Sequence, residues 1–550
     1  MSKGFFNQRN GIEINDTGTA IQYATEKFLN NLRPNMKIVK IRAELMKEIR
    51  SVFLQHNIIA DKGAKWKVPE TIPNPAVAEV LLELKTFRKI SATGKMDDAF
   101  LVVYQEEEGL YTDKYDVISE IIRWIKYNAS TRDIVEIITI LRDKATLIEL
   151  TKDRDLIAVN NGIFDYKSKI LIPFHPKYVF LAKCRVNYIQ NAPMPTIRTP
   201  DGDDWDPLNW FMSLSDDYEI VELLWQIVGA TIRPNVAWDR LVCFYSQKGM
   251  NGKGTLCELM KQLCGEGSYA SIPISGFDKD YYLAQLLTAT AIITDENGTA
   301  EYTKNAEKMK AIVTGDSFSI NRKYKEAITF SFRGLCCECI NSLPKISDVT
   351  DSLYRRFLIV PFDKTFKGME RKYIKEDYLH RRDVLEFVLW KVLNTDYYEF
   401  IEPSACLELL TDYKQFNDST RAFVDEVFPE FVWSLIPQKF LYQLYLSWMK
   451  LNNGSATPLG KITFNEKVRN IIETEYSDEW IFRGDNVRVT KTNMYGPEPM
   501  IAEYNLTDWM SKTYKGNDID KLCVPALSAS YAGFERRQQV AQTVKDDSDE

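Results

Sequence analysis

Histidine is nearly absent from this chain. There are three in 550 residues, His56, His175 and His380, and no two stand at a spacing that binds metal. Chemistry built on paired histidines is therefore excluded. The sequence has no run of about eighteen apolar residues to cross a membrane and no signal peptide at its start, so a cytoplasmic location without membrane association is expected. It also lacks a net positive charge. The formal net charge is −7, which excludes general coating of nucleic acid by the outer surface but not binding within a cationic interior. The nine cysteines are scattered. Cys336 and Cys339 form a C-x-x-C, but inside an apolar run and without a second ligand pair, so reduced buried thiols are expected rather than zinc or redox chemistry. No internal repeat is present.

The most informative stretch is Leu241–Thr255, LVCFYSQKGMNGKGT. An apolar run ends in a glycine-bearing loop, then Lys253, then residues that open a helix. Such a loop wraps phosphates with backbone N–H groups, the lysine adds a point charge, and the helix N-terminus adds its dipole. Gly249, Asn251, Gly252, Lys253, Gly254 and Thr255 are the candidate phosphate-binding residues. The loop departs from G-x-x-x-x-G-K-[ST] at two positions. Gln247 replaces the first glycine, and Gly254 stands where Ser or Thr normally holds Mg²⁺. Thr255, the next residue, is left to take over the metal contact, directly or through water.

A second apolar run, LLTATAIITDE, ends in Asp295 and Glu296 about forty residues later. Adjacent carboxylates at a strand end suit ATP hydrolysis: Asp295 to hold Mg²⁺, and Glu296 to orient and deprotonate the attacking water. Asn341 closes a third apolar strand, LCCECI, where an amide can sense a γ-phosphate. Arg355 and Arg356 precede a fourth, FLIVPF. An arginine there suits stabilisation of transition-state charge in a neighbouring subunit.

The order Asn251–Lys253, Asp295–Glu296, Thr314–Asp316, Asn341 and Arg355–Arg356 resembles the superfamily 3 helicase core, in its phage, plasmid and poxvirus primase–helicase branch. The segments Val159–Phe180 and Glu222–Pro234 resemble what precedes that core, so the likeness covers roughly residues 96 to 500. It implies an AAA+ ring ATPase, usually a hexamer, that uses ATP and Mg²⁺ to translocate on DNA and unwind it. By the same resemblance Lys253 contacts phosphate, Asp295 and Glu296 serve metal and water, Asn341 is the sensor, and Arg355 or Arg356 is the finger. Phe318–Phe332 reads as two extended arms around a charged turn. In such enzymes a hairpin here enters the ring's pore, so Arg322, Lys323, Tyr324 and Lys325 are the expected contacts to single-stranded DNA.

The fold class expected is multidomain α/β: an AAA+ P-loop ATPase core, a helical N-terminal accessory domain and a C-terminal winged-helix-like domain. The boundaries expected are 1–95, largely helical and of unclear role; 96–215, a helical accessory or collar domain; 216–400, the ATPase; 401–535, the winged-helix-like domain; and 536–550, a disordered acidic tail. Residues 1–95 carry no acid and histidine set for priming, so a separate primase or replication protein would supply it. In the C-terminal domain Lys461, Lys467, Arg469, Arg483 and Arg488 suit duplex DNA, or equally a packing module with solvated charges. The acidic run DGDDWD at Asp201–Asp206 lacks the terminal Glu of a calcium loop and reads as a surface loop. The functional reading is a replicative helicase of a phage or mobile element. The alternatives are an origin-binding initiator that uses ATP only as an assembly switch and a non-enzymatic scaffold.

Overall fold

The computed structural model describes residues 5–6, 13–59, 65–91, 99–295, 302–303, 306–321, 327–343, 345–346, 351–417, 419–452, 458–516 and 518–537. Glu296, the turn residues Arg322, Lys323, Tyr324 and Lys325, and the tail beyond Arg537 lie outside them. The chain divides into two compact units, Met1–Leu409 and Leu410–Glu550. Among the described residues no helix is long and apolar enough to cross a membrane.

The first unit opens with five helices, Thr17–Leu29, Ile38–Ile59, Asn74–Leu84, Tyr115–Ile125 and Thr131–Lys144. Two begin at reciprocal caps, Asp16 accepting from Thr19 N and Ser130 accepting from Asp133 N. Their apolar faces share one core, which runs from Ile14 through Leu45, Val77, Val103 and Ile122 to Leu141 and Ala145. The boundary expected at residue 95 falls inside this core. Phe87–Ile90 pairs antiparallel with Phe100–Gln105 across it, which binds the two expected domains into one sheet. Between Lys144 and Pro207 the expected helical accessory domain is not helical. Leu156–Val159, Gly162–Asp165 and Ile170–Ile172 form an antiparallel meander. Apolar runs of three or four residues between polar turns suit paired strands and are too short for a helix.

Five parallel strands form the central sheet: β1 (Leu241–Tyr245), β2 (Tyr269–Ala270), β3 (Ala291–Thr294), β4 (Leu335–Ile340) and β5 (Phe357–Pro361), in the order β2-β3-β4-β1-β5. They are near-continuous apolar runs because both faces are covered. Helix α1 (Lys253–Cys264) lies with helices Tyr218–Ala230 and Arg382–Leu393 in a core that includes Val242, Phe244, Ile293, Cys337 and Cys339. That core extends from Ile157 to Cys406 and crosses the boundary expected at residue 215. Strand alternation puts Cys336 and Cys339 on opposite faces of β4, so the C-x-x-C cannot converge on a metal. All nine cysteines are buried and none forms a disulfide.

Arg233 locks this core. It is fully buried, and its guanidinium carbon lies 3.7 Å from the Tyr166 ring centre, 4.8 Å from that of Tyr397 and 5.3 Å from those of Trp238 and Tyr398. Nη2 donates to Tyr397 O at 2.9 Å. The cage holds the meander, the entry to β1 and the end of the last helix together by cation–π attraction in a dry site.

In the second unit, helix Ser419–Val427 is followed by strand Leu435–Pro437, helices Gln438–Asn452 and Lys461–Glu475, and strands Trp480–Arg488 and Ser530–Arg536. The strands pair antiparallel, with Ser530–Arg536 in the middle. The alternation in WIFRGDNVRVTK suits one arm of a β-hairpin closed by a neighbouring strand. The partner of Trp480–Arg488 instead comes about forty residues later, after an insertion of short helices. The buried Glu498 of that insertion accepts from Val432 N and Trp433 N at 3.0 and 2.9 Å, and burial pushes its carboxyl above the usual range.

Arg233→Ala should destabilise the first unit by roughly 2–5 kcal/mol, the cost of emptying a large core site. Calorimetry should show a lowered melting transition for this unit, with the second unit's transition unmoved.

A candidate nucleotide-phosphate site

The loop between β1 and α1 has the backbone that its sequence calls for. Met250 and Gly252 are left-handed, at φ 57° and 90°. Gly252 allows nothing larger. A Cβ there would come 2.8 Å from Leu214 Cδ2 and 3.4 Å from Phe366 Cε2. Gly249 has open space around it, so its role is not steric. Asn251 is buried, and its Nδ2 donates to Lys248 O at 2.6 Å, which closes the loop on itself. The segment after β5 backs the loop: Phe362 N donates to Tyr245 O at 2.9 Å and Phe366 N to Met250 O at 2.7 Å. This backing segment carried no signal in the sequence.

Lys253 is only 6% exposed. Its ammonium donates to Ser246 O at 3.2 Å, Ile340 O at 3.0 Å and Asn341 Oδ1 at 2.7 Å. The three contacts match its three donors. They tie the loop to the end of β4, so the structure brings Lys253 and Asn341 together as the sequence order implies. Burial holds the Lys253 ammonium's pKa below its ordinary value. A desolvated cation ringed by neutral acceptors is suited to exchange them for an anion.

Asp295 follows β3, two strands from β1, with β4 between. Its Oδ1 is 3.1 Å from Lys261 Nζ, an α1 lysine that the sequence did not single out. Burial acts to lower the pKa of Lys261, but the hydrogen bond and charge of Asp295 prevail and raise it. Thr255 sits in the first turn of α1, its N–H donating to Gly252 O at 3.1 Å, and Gly254 offers no side-chain ligand. Among the described residues no group of three or more His, Cys, Asp or Glu is assembled to hold a metal. The donors here fit Mg²⁺ only as an ion shared with phosphate oxygens, which is its usual mode.

Arg355 and Arg356 lie elsewhere. Leu241 N, at the start of β1, donates to Arg356 O, and Arg356 Nη1 donates to Ser352 Oγ at 3.0 Å. They stand at the N-terminal edge of the sheet, whereas Lys253 stands at the C-terminal edge. The five residues of β1 separate them by roughly 16 Å. Neither arginine can serve the phosphate loop of its own chain. Asp239 lies among Arg356, Arg240 and Arg355, and burial raises its pKa despite their attraction.

Ser317–Ile320 and Ile328–Ser331 pair antiparallel, with Ile320 opposite Ile328. Phe318, Ile320, Ile328 and Phe330 are buried, so the arms of the expected hairpin are anchored, although its tip lies outside the described residues. A cavity of about 160 Å³ lies at this root, lined by Leu150, Val179, Phe330 and Phe332 among others, and away from the phosphate loop. In the second unit Arg469 pairs with Glu473 at 2.7 Å and Arg483 with Glu535 at 3.0 Å. Lys461 and Arg488 are exposed.

Three segments match known families. Residues 56–205 match the family described as D5 N terminal like, residues 244–356 a family of unknown function (DUF5906), and residues 415–510 the Poxvirus D5 protein-like family. The chain is 22% identical over 258 residues to the Frog virus 3 (isolate Goorha) protein named Putative helicase 022R, a match spanning 41% of this chain and about a quarter (26%) of that protein. Two solved apo structures of the NrS-1 C-terminal region are similar at TM-score 0.42. They are 15% and 14% identical and cover 75% and 76% of this chain and 95% and 97% of their own. At that score the likeness carries no argument about function. The family matches place the chain's similarities among viral primase–helicase proteins.

Asn341→Asp would set a carboxylate against Lys253 and strengthen the contact that a phosphate must displace. Titration with a fluorescent ATP analogue should show affinity falling roughly tenfold or more, since opposite unit charges about 4 Å apart attract by roughly 4 kcal/mol at an effective dielectric constant of about 20. Asn341→Ala should bind no more weakly than the wild type.

Proposed function

We propose that this chain is an ATP-driven, ring-forming replicative DNA helicase of a phage or mobile genetic element, with a superfamily 3 AAA+ motor and a winged-helix-like C-terminal domain. The observation that carries the reading is the buried Lys253 ammonium, held at the junction of the phosphate loop and Asn341. The strand order also supports it, because the strand bearing Asn341 lies between those bearing Lys253 and Asp295. ATP would lie along the loop, with Lys253 and the α1 N-terminus on its phosphates. Mg²⁺ would be held by Asp295 and Thr255 and would supply charge neutralisation. Glu296 is assigned to the attacking water and Asn341 to the γ-phosphate.

The distance of Arg355 and Arg356 from their own loop favours action on a neighbouring subunit, and so a closed oligomer such as a hexamer. The anchored hairpin supports a pore contact through Arg322, Lys323, Tyr324 and Lys325. The second unit's element order, with its last strand in the middle of the sheet, supports a winged helix. Ion pairs already engage Arg469 and Arg483 there, which leaves Lys461 and Arg488 as its best contacts to duplex DNA. Similarity to a protein named as a helicase and to the D5-type families supports a replication role, with priming left to a partner.

The first measurement is ATP-dependent displacement of a labelled strand from a forked duplex. Wild type should unwind, and Lys253→Ala and Glu296→Gln should not. Unwinding by Lys253→Ala would sink the assignment. If no form unwinds but wild type and Glu296→Gln both assemble on DNA with ATP, the chain is instead an ATP-switched initiator. A mixing experiment tests the trans arginine. Lys253→Ala and the Arg355→Ala/Arg356→Ala double variant should each lose ATPase activity, the latter by roughly a thousandfold. Mixed, they should regain part of it, because some interfaces then pair an intact loop with intact arginines. No recovery on mixing, with mixed rings verified, would count against action in trans.

A further inference from the structure

The acidic run Asp201–Asp206 makes no contact named in the site described above, yet it meets the continuation of the segment that backs the loop. Arg371 Nη2 lies 2.8 Å from Asp203 Oδ2, and Tyr373 Oη donates to Asp201 Oδ2 at 2.7 Å. Asp204 pairs with Arg198 at 3.1 Å, and Asp206 caps helix Pro207–Met212 by accepting from Asn209 N at 2.9 Å. The carboxylates that look like cation ligands in the sequence are thus engaged by neighbours, two of them by residues of one short segment. With Ile374 buried in the main core, these contacts fix helix Lys372–Glu376 against α1.

The helix carries Lys375 over the first turn of α1. Lys375 Nζ lies 3.7 Å from the point that a Cβ at Gly254 would occupy. Gly254 is the position where phosphate loops carry Ser or Thr, and its missing side chain leaves room for the ammonium. For the protein alone this placement is unfavourable. The N-terminus of a twelve-residue helix carries roughly half a positive charge. Lys253 stands in the same turn, and Lys375 adds another cation. Among the described residues Lys375 has no ion-pair partner. A polyphosphate would relieve all three.

We propose that Lys375 is a second phosphate-contacting cation of the nucleotide site, acting in cis and positioned by Asp201 and Asp203. It fills the space left at Gly254 with a charge directed at phosphate, and leaves the metal contact to Thr255 and Asp295. The proposal rests on the reading of this loop as a nucleotide site.

The test is competition of ATP, ADP and AMP against a fluorescent nucleotide on the full chain, with circular dichroism to confirm folding. Lys375→Ala should weaken ATP by roughly ten- to a hundredfold, the worth of one hydrogen bond between charged groups, weaken ADP less, and leave AMP unchanged. Lys375→Arg should restore most of the affinity, and Asp203→Asn should fall between. A merely structural role would weaken all three nucleotides alike and overturn the proposal. So would wild-type ATP affinity in Lys375→Ala while Lys253→Ala has lost binding. If Lys253→Ala binds as the wild type does, the nucleotide site itself is wrong, and the proposal falls with it.

Discussion

The candidate site turns on one buried cation. Removing an ammonium from water is unfavourable unless its hydrogen-bond donors are met, and Lys253 meets them with two backbone carbonyls and one amide. Those acceptors come from two strands that are far apart in sequence. The lysine therefore makes the loop's shape depend on β4, and makes the position of Asn341 depend on the loop. Gly252 sets the same constraint from the other side, because a Cβ there would meet Leu214 and Phe366. A change in what the ammonium binds would therefore bear directly on Ile340 and Asn341.

The parallel sheet gives that coupling a direction. With all five strands pointing one way, residues after the strands gather at one edge and residues before them at the other. Lys253, Asp295 and Asn341 share the first edge, and Arg355 and Arg356 share the second. One chain thus holds these two groups of residues at opposite edges and cannot join them itself. In the proposed ring each subunit would offer its arginines to the next.

The supporting contacts come from parts of the chain that sequence reading sets aside. The acidic run at Asp201 looks like a solvated loop or a weak cation motif, and in the structure it braces the segment behind the phosphate loop. Arg233 looks like an ordinary helix-end arginine, and it proves to be the centre of an aromatic cage. Both roles depend on partners distant in sequence, Tyr166 and Tyr397 for Arg233 and Arg371 and Tyr373 for the acidic run, so no local pattern announces them.

The sequence alone determined what local chemistry determines: apolar runs long enough only for strands, the glycine-bearing loop before a helix, the lysine that follows it, and the amide at the end of LCCECI. The helices at Thr17–Leu29 and Thr131–Lys144 are similarly legible, since their caps and periodicity lie within a few residues. Tertiary structure decided the rest. It carried the first core across residue 95, because strand pairing joins residues whose spacing carries no signal. It turned the segment after Lys144 into a meander. It gave Asp295 the partner Lys261, brought Lys375 over Gly254, and paired Trp480–Arg488 with a strand beyond a long insertion. Each of these is a non-local contact, chosen by burial and charge once the chain is compact, and a linear reading has no access to that choice.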